Sequence, residues 1–347
     1  MPIIKKPSDH FNAVLYTGVN PSAASVTTGF EPGIVWIKSR TQTYSHYVYN
    51  SVLGGGRWLY SNSAAVEDTS GDAITFSSTG FTTTASAGAT NEAGQGADNL
   101  ISWAWKTASS NTTNTNGTVT SIVRANQTAG VSVVTYTGPG SGGGTVGHGL
   151  GVAPKMIIIK NRSAAESWRV GHAFMNGGSS PWNYYMNLNG TGSQTLESSI
   201  WNNTAPSSTV FTIANDAGVS GSGNNLLAYC FAEVDGFSRF GSYTGNGSTN
   251  GPFVYTGFKP RYLMVKRTSG SVYAWCVWDS ARDTYNVQEK IQTVNTNNVQ
   301  NTGTLYVDFL SNGFKLRSYT NGSENESGQS YIFMAFAESP LKYANAR

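Results

Sequence analysis

Tyr16-Thr17-Gly18, Tyr136-Thr137-Gly138 and Tyr243-Thr244-Gly245 open three versions of one passage. Each version reaches a proline, at Pro32, Pro154 or Pro260, and then an apolar run that ends in lysine. The runs are Ile34-Val35-Trp36-Ile37-Lys38, Met156-Ile157-Ile158-Ile159-Lys160 and Leu263-Met264-Val265-Lys266. Each closes on a further apolar stretch: Ile101-Ser102-Trp103-Ala104-Trp105, Leu227-Ala228-Tyr229-Cys230-Phe231 and Tyr331-Ile332-Phe333-Met334-Ala335-Phe336. The landmarks recur roughly every 110 residues, far beyond the roughly 20–50 residues of a solenoid unit. A period of that length is a whole small domain. The chain therefore reads as three tandem domains.

Within each copy, short apolar or alternating runs are separated by clusters of Gly, Asn, Ser and Thr. In the third, Leu305–Leu310 and Phe314–Ser318 flank Ser311-Asn312-Gly313. Asn-Gly between two such runs signals a hairpin, because a type I′ turn needs positive φ at both central residues. The first copy has the counterpart Ile74-Thr75-Phe76, then Ser77-Ser78-Thr79-Gly80, then Phe81-Thr82-Thr83. Many short strands with polar turns predict an all-β chain of three antiparallel β-sandwich domains, jelly-roll or concanavalin-like. Boundaries fall at 1–108, 130–236 and 237–347, the last including a C-terminal tail, with a polar linker over 109–129. Ser109–Gly117 is low-complexity, although Thr118–Arg124 alternates like a strand. The second joint, Glu233–Gly241, is short, and Phe237 and Phe240 read as buried there. A loose first joint and a stiff second one follow.

Charged residues are 12% of the 347, about half the usual share, and aromatics are also 12%. Flat and β-branched side chains suit pleated surfaces, and no helical period of good helix formers accumulates. Net charge is +3 with no basic run beyond Lys5-Lys6, so nucleic-acid binding is not expected. No apolar run is long enough for a membrane helix, and no membrane insertion is expected. The N-terminal Met1–Pro7 lacks the apolar core of a signal peptide, which points to assembly in a reducing cytoplasm. Cys230 and Cys276 lie in apolar stretches and read as buried free thiols.

Catalytic, metal and cofactor signals are absent from the sequence. His10, His46, His148 and His172 stand alone, without metal-ligand spacing. Gly138, Gly140 and Gly143 match GxGxxG, but Thr145-Val146-Gly147 follows instead of a helix. Glu233 and Glu338 recur at matching positions of different copies, so an end-of-strand role is expected rather than a glycosidase pair. Asp279-Ser280-Ala281-Arg282 reads as a structural Asp–Arg pair. Candidate contact residues for a glycan or a protein partner are Trp58 and Tyr60, after Gly54-Gly55-Gly56-Arg57, and Trp182, Tyr184 and Tyr185, after Gly177-Gly178-Ser179-Ser180-Pro181. Aromatics set among small polar residues are a common means of stacking on sugars or anchoring a partner.

The opening Ile4-Lys5-Lys6-Pro7-Ser8, Leu15-Tyr16-Thr17-Gly18, Val35-Trp36-Ile37-Lys38-Ser39-Arg40, Gly149–Met156 and Met334-Ala335-Phe336-Ala337-Glu338 resemble an uncharacterised repeat domain of bacteriophages, especially marine ones. The resemblance spans essentially the whole chain. It implies a virion structural protein and no catalytic residues, and it does not settle where on the particle the protein sits. Rigid β-domains strung in a row suit a projecting appendage, so a non-enzymatic part of the particle exterior is expected. A tail-fibre or tail-associated adhesion part is the leading expectation, a capsid decoration protein the alternative, and a tail-borne polysaccharide-degrading enzyme a third. The expected partners are other virion proteins, further copies of the chain (a trimer among the arrangements) and a host surface glycan.

Overall fold

A computed structural model describes residues 3–318 and 322–340. Met1, Pro2 and the expected C-terminal tail at 341–347 lie outside the described residues. The chain is all-β, and its named strand pairs are antiparallel. Each repeat builds the same five-stranded inner sheet. In the first, the order is Phe11–Tyr16, Leu100–Trp105, Ile34–Ser39, Tyr47–Asn50, Gly54–Tyr60. In the second it is Val131–Thr137, Asn225–Phe231, Met156–Asn161, Arg169–His172, Tyr184–Asn187. In the third it is Ser238–Thr244, Ser330–Pro340, Phe258–Arg267, Cys276–Asp279, Gln288–Thr293. Shorter strands cover one face: Ser25–Thr27, Gly80–Thr83 and Ile74–Ser77 in the first repeat, and Gly144–Gly147 with Val210–Ile213 in the second. In the third, the inner sheet itself continues through Asn301–Leu310, Gly313–Leu316 and Phe253–Tyr255.

The three lobes are not strung in a row. The apolar runs are buried along their whole length, so both faces of each inner sheet are covered. Val35 and Ile37 face the first lobe's own core, while Ile34 and Trp36 join a core shared by all three lobes. Ile157 and Ile159 divide from Met156 and Ile158 in the same way, as do Leu263 and Val265 from Tyr262 and Met264. At the centre, the last aromatics of the closing strands meet. Trp105–Phe231, Trp105–Phe336 and Phe231–Phe336 have ring centroids 6.2, 5.7 and 6.1 Å apart. These three residues are equivalent in the repeats, so the lobes close around an internal pseudo-threefold axis.

Hydrogen bonds repeat that closure. His46 Nε2 donates to Thr293 O (3.0 Å), Trp168 Nε1 to Tyr60 O (2.9 Å), and Trp275 Nε1 to Asn187 O (3.0 Å). Lobe 1 thus donates into lobe 3, lobe 2 into lobe 1 and lobe 3 into lobe 2. A backbone ring runs in the opposite sense, lobe 1 into 2, 2 into 3 and 3 into 1: Glu67 N–H to Arg162 O (3.1 Å), Gln194 N–H to Thr268 O (3.1 Å), and Gln300 N–H to Arg40 O (2.8 Å). A third set joins Asn50 to Tyr229 Oη, His172 to Phe333 O and Trp103 Nε1 to Asp279 Oδ2. Asp279 is also paired with Arg282 at 2.6 Å, both fully buried, which bears out the structural reading of that pair. Phe237 and Phe240 are buried at the junction, as the sequence predicts.

The first joint corrects its expectation. Thr112–Asn114 and Ser121–Asn126 are two further strands of the second lobe's inner sheet, and Ser121–Asn126 pairs along Val131–Tyr136. Polar composition suggested a linker because these strands lie at an edge, where one face meets water. The segment is tied into the fold, not loose.

The landmarks that define the repeat now have physical causes. The tyrosine hydroxyls of Tyr16, Tyr136 and Tyr243 donate to Thr90 O, Val219 O and Glu324 O, pinning the loop before each closing strand. The glycine two residues on lets that loop pass: a Cβ at Gly18, Gly138 or Gly245 would sit 2.1, 2.1 or 2.4 Å from a backbone oxygen. The lysine ending each apolar run is buried and donates to the next residue's carbonyl: Lys38 to Ser39 O, Lys160 to Asn161 O, Lys266 to Arg267 O. Lys160 and Lys266 also reach Ala64 O and Thr191 O of the neighbouring lobe.

Burial pushes Lys38 down to about 7, and Lys160 and Lys266 to about 8. The unfolded chain therefore holds protons on these lysines at pH values where the folded chain has begun to release them. Stability should rise from about pH 7 to about pH 9, by on the order of 1–2 kcal/mol per lysine. Above that range the two buried thiols and the buried tyrosines, whose pKa values are raised, reverse the trend. Melting curves across this range check the rise, and Lys160→Met should reduce it by that lysine's share, leaving the part due to Lys38 and Lys266.

Candidate functional site

The sequence-predicted aromatics do not form one exposed surface. Trp58 is 2% exposed and belongs to the first lobe's core, with its indole N–H on Tyr60 Oη. Tyr60 is half-buried and donates to Asp68. Trp182 is 5% exposed and packs edge-on to Trp201 at 5.4 Å in the second lobe's core. Tyr184 and Tyr185 are half-buried, and Tyr185 lies beneath Arg169. For Trp58 and Trp182 the contact assignment is corrected: the glycine-rich approaches turn the chain inward, so the indoles fill cores. Trp182→Ala should accordingly cost about 3–5 kcal/mol of stability, visible as a large drop in melting temperature.

Reactive groups are already engaged. His46, His148 and His172 are buried, and each ring has both nitrogens bonded. Nδ1 accepts from Trp36 Nε1, Leu150 N–H and Phe174 N–H respectively, so Nε2 carries the proton toward Thr293, Ser207 and Phe333 carbonyls. Burial lowers all three, His172 to about 3. Glu233 pairs across the joint with Arg239 of the third lobe at 2.8 Å, and Glu338 pairs with Lys259 within the third lobe at 2.6 Å, so both carboxylates are engaged in ion pairs. The glycines at 140, 142 and 143 adopt positive φ and lead into the strand Gly144–Gly147. Among the described residues, no cluster of His, Cys, Asp or Glu could hold a metal ion.

An open cleft of about 800 Å³ lies at the seam of the first two lobes. Its walls come from His10, which follows the short 3-10 turn Pro7–Asp9, the Gly29–Glu31 loop, Ser78, the stretch after the closing strand at Lys106–Ser109, and the turn Ala125–Thr128. Asn126 ties the walls together: its amide donates to Lys106 O at 3.2 Å and stands 3.4 Å from His10 Nδ1, while its Oδ1 accepts from Ala129 N–H. His10 is lowered by burial and by Lys106, against the pull of Asp9. Glu31 is the sole carboxylate lining the cleft among the described residues, and Arg124 lies 3.6 Å from it. Amides, hydroxyls, one ammonium and one carboxylate make a surface that hydrogen-bonds a polar, hydroxylated ligand or a polar protein loop. Composition could not reveal this cleft, since its parts come from five separated stretches and only the lobe closure brings them together.

Two further clefts open at the other seams. One lies between Asn12–Leu15 and Arg261 and Ser280–Thr284, the other between Arg239–Tyr243, Phe253–Tyr255 and Phe174. Comparison with curated proteins and with solved structures finds no match. The family described as "Domain of unknown function (DUF7483)" matches residues 6–340, a single span that takes in all three lobes and the seams between them. The chain belongs to that family.

Proposed function

We propose that the chain is a non-enzymatic structural protein of the exterior of a bacteriophage particle, seated as a compact decoration on the capsid. The observation that carries this reading is the closure of three lobes around one aromatic centre. A body with internal threefold pseudo-symmetry presents three equivalent faces to a threefold-symmetric seat, so one chain supplies what a homotrimer would supply. Support also comes from the repeat's resemblance to phage virion domains and from a surface rich in Ser, Thr, Asn and Gly. The tail-fibre placement rested on domains strung in a row, an arrangement this fold does not have. Adhesion to a host glycan would use the polar seam cleft rather than Trp58 or Trp182. Counting copies of the chain per purified particle tests the placement. Many copies spread over the shell support it, and a handful confined to the tail would refute it.

A further inference from the structure

The three lobes share one architecture, yet their outer sheet edges are finished differently. The first strand of each inner sheet pairs on one side with the closing strand: Phe11–Tyr16 with Leu100–Trp105, Val131–Thr137 with Asn225–Phe231, and Ser238–Thr244 with Ser330–Pro340. In lobe 2 the other side is occupied. Ser121–Asn126 adds antiparallel to Val131–Tyr136, and just before it Val119 bridges to Val146 of the covering sheet. Thr118 and Thr145 exchange hydrogen bonds at the same place. One extended segment thus closes the open flank of that sandwich. In lobes 1 and 3, among the described residues, the equivalent strands are edge strands.

Those two edges are the seam clefts described above, of about 410 and 330 Å³. Each shows which backbone groups face outward. Arg261 Nη2 donates to Ala13 O at 2.7 Å, and Glu233 Oε2 accepts from Phe240 N–H at 3.2 Å. Through the closing-strand registers, Ala13 and Phe240 correspond to Val133, the residue opposite Arg124 in the filled edge. A side chain therefore takes one backbone group at the position that a strand takes in lobe 2. N–H and C=O groups alternate sides along a strand, so Leu15 and Ser242 also face outward. In lobe 3, Phe253 and Tyr255 stand beside the edge, 46% and 54% exposed. Edge strands left in this way are templates for another chain.

We propose that the free edges of lobes 1 and 3 accept an extended arm of another polypeptide by β-strand addition, in the register that Ser121–Asn126 uses in lobe 2. The chemistry of the arm follows from that internal precedent. Ser121 and Val123 point into the sandwich and are buried, while Ile122 and Arg124 lie half-exposed. The arm therefore carries a small or β-branched residue at the Val123 position and tolerates polar residues on the alternate face. Main-chain hydrogen bonds give the affinity, and Phe253 and Tyr255 offer apolar cover in lobe 3. This inference does not depend on where in a particle the protein sits.

The test uses the full-length chain carrying Ser242→Cys and a synthetic peptide of residues 117–127 carrying Ile122→Cys, since position 122 would lie opposite position 242. The native thiols Cys230 and Cys276 are buried and stay silent. We expect a disulfide under mild oxidation, suppressed by excess unmodified peptide and lost when the peptide also carries Arg124→Pro. A parallel experiment at Leu15→Cys addresses lobe 1, and amide exchange on unmodified protein should show peptide-dependent protection over 238–244. Crosslinking indifferent to the proline would overturn the proposal. So would absence of both crosslink and protection, which would make Arg261 and Glu233 edge guards. Concentration-dependent dimers of the chain that block the crosslink would make the occupant a second copy, and would overturn it equally.

Discussion

Trp105→Ala should destabilise all three lobes at once, by about 3–5 kcal/mol, the range for emptying a large aromatic from a packed core. Trp105 is 1% exposed and touches Phe11, Tyr262, Phe231 and Phe336, so one truncation removes ring contacts to lobes 2 and 3 as well as within lobe 1. Trp105→Phe should cost far less. Phenylalanine already fills the equivalent positions 231 and 336, and among the described residues the Trp105 indole N–H has no hydrogen-bond partner to lose. Chemical denaturation of both variants, followed by tryptophan fluorescence and by far-ultraviolet circular dichroism, checks this. The alanine variant should shift both signals together. A loss confined to one lobe would show that the lobes are independent.

Acid should open the seams. His46 ties lobe 1 to lobe 3 and His172 ties lobe 2 to lobe 3, each through a neutral ring whose two nitrogens are both engaged. Burial keeps both pKa values low; Lys38 and Arg282 add to this at His46 and Lys155 at His172, against the raising pull of the carbonyls they donate to. In the unfolded chain a histidine takes its proton near pH 6.5, while the folded ring does not, so stability falls as pH drops below that value. At pH 5 the loss from His172, held at about 3 in the fold, is about 2 kcal/mol, and His46 adds to it in the same direction. A double variant, His46→Gln with His172→Gln, keeps an amide donor for each carbonyl and should lose most of that slope. Carboxylate titration contributes alike to both proteins and drops out of the comparison. An unchanged slope in the variant would contradict the account.

Much of this was legible in the residues, and the part that was not has a physical reason. Tyr-Thr-Gly and the terminal lysine mark real structural devices, and a hairpin joins Asn301–Leu310 to Gly313–Leu316 as expected, although it turns over Ser311-Asn312 with neither Asn312 nor Gly313 at positive φ. The lobe closure was written there too, in a sign that is easy to pass over. A sandwich strand with one wet face alternates, whereas Ile34–Lys38 and Met156–Lys160 are apolar at nearly every position. Such runs need cover on both sides, and the second cover is the neighbouring lobes. The seam rings were not legible. The ring of His46, Trp168 and Trp275 pairs each side chain with a backbone carbonyl roughly a hundred residues or more away, and carbonyls carry no sequence label. His46 conceals its role further, because the corresponding donors in the other lobes are Trp168 and Trp275. Trp58 and Trp182 misled for a local reason, since glycine-rich flanks look solvent-facing whichever way the indole turns.

Differential scanning calorimetry of the intact chain tests the central claim most directly. If the lobes form one body around Trp105, Phe231 and Phe336, melting is a single transition. Its van't Hoff enthalpy should then approach the whole-chain calorimetric value, about 240 kcal/mol at roughly 0.7 kcal/mol per residue. Three resolved transitions, or a van't Hoff enthalpy near the roughly 80 kcal/mol of a single lobe, would show three independent domains and contradict the account.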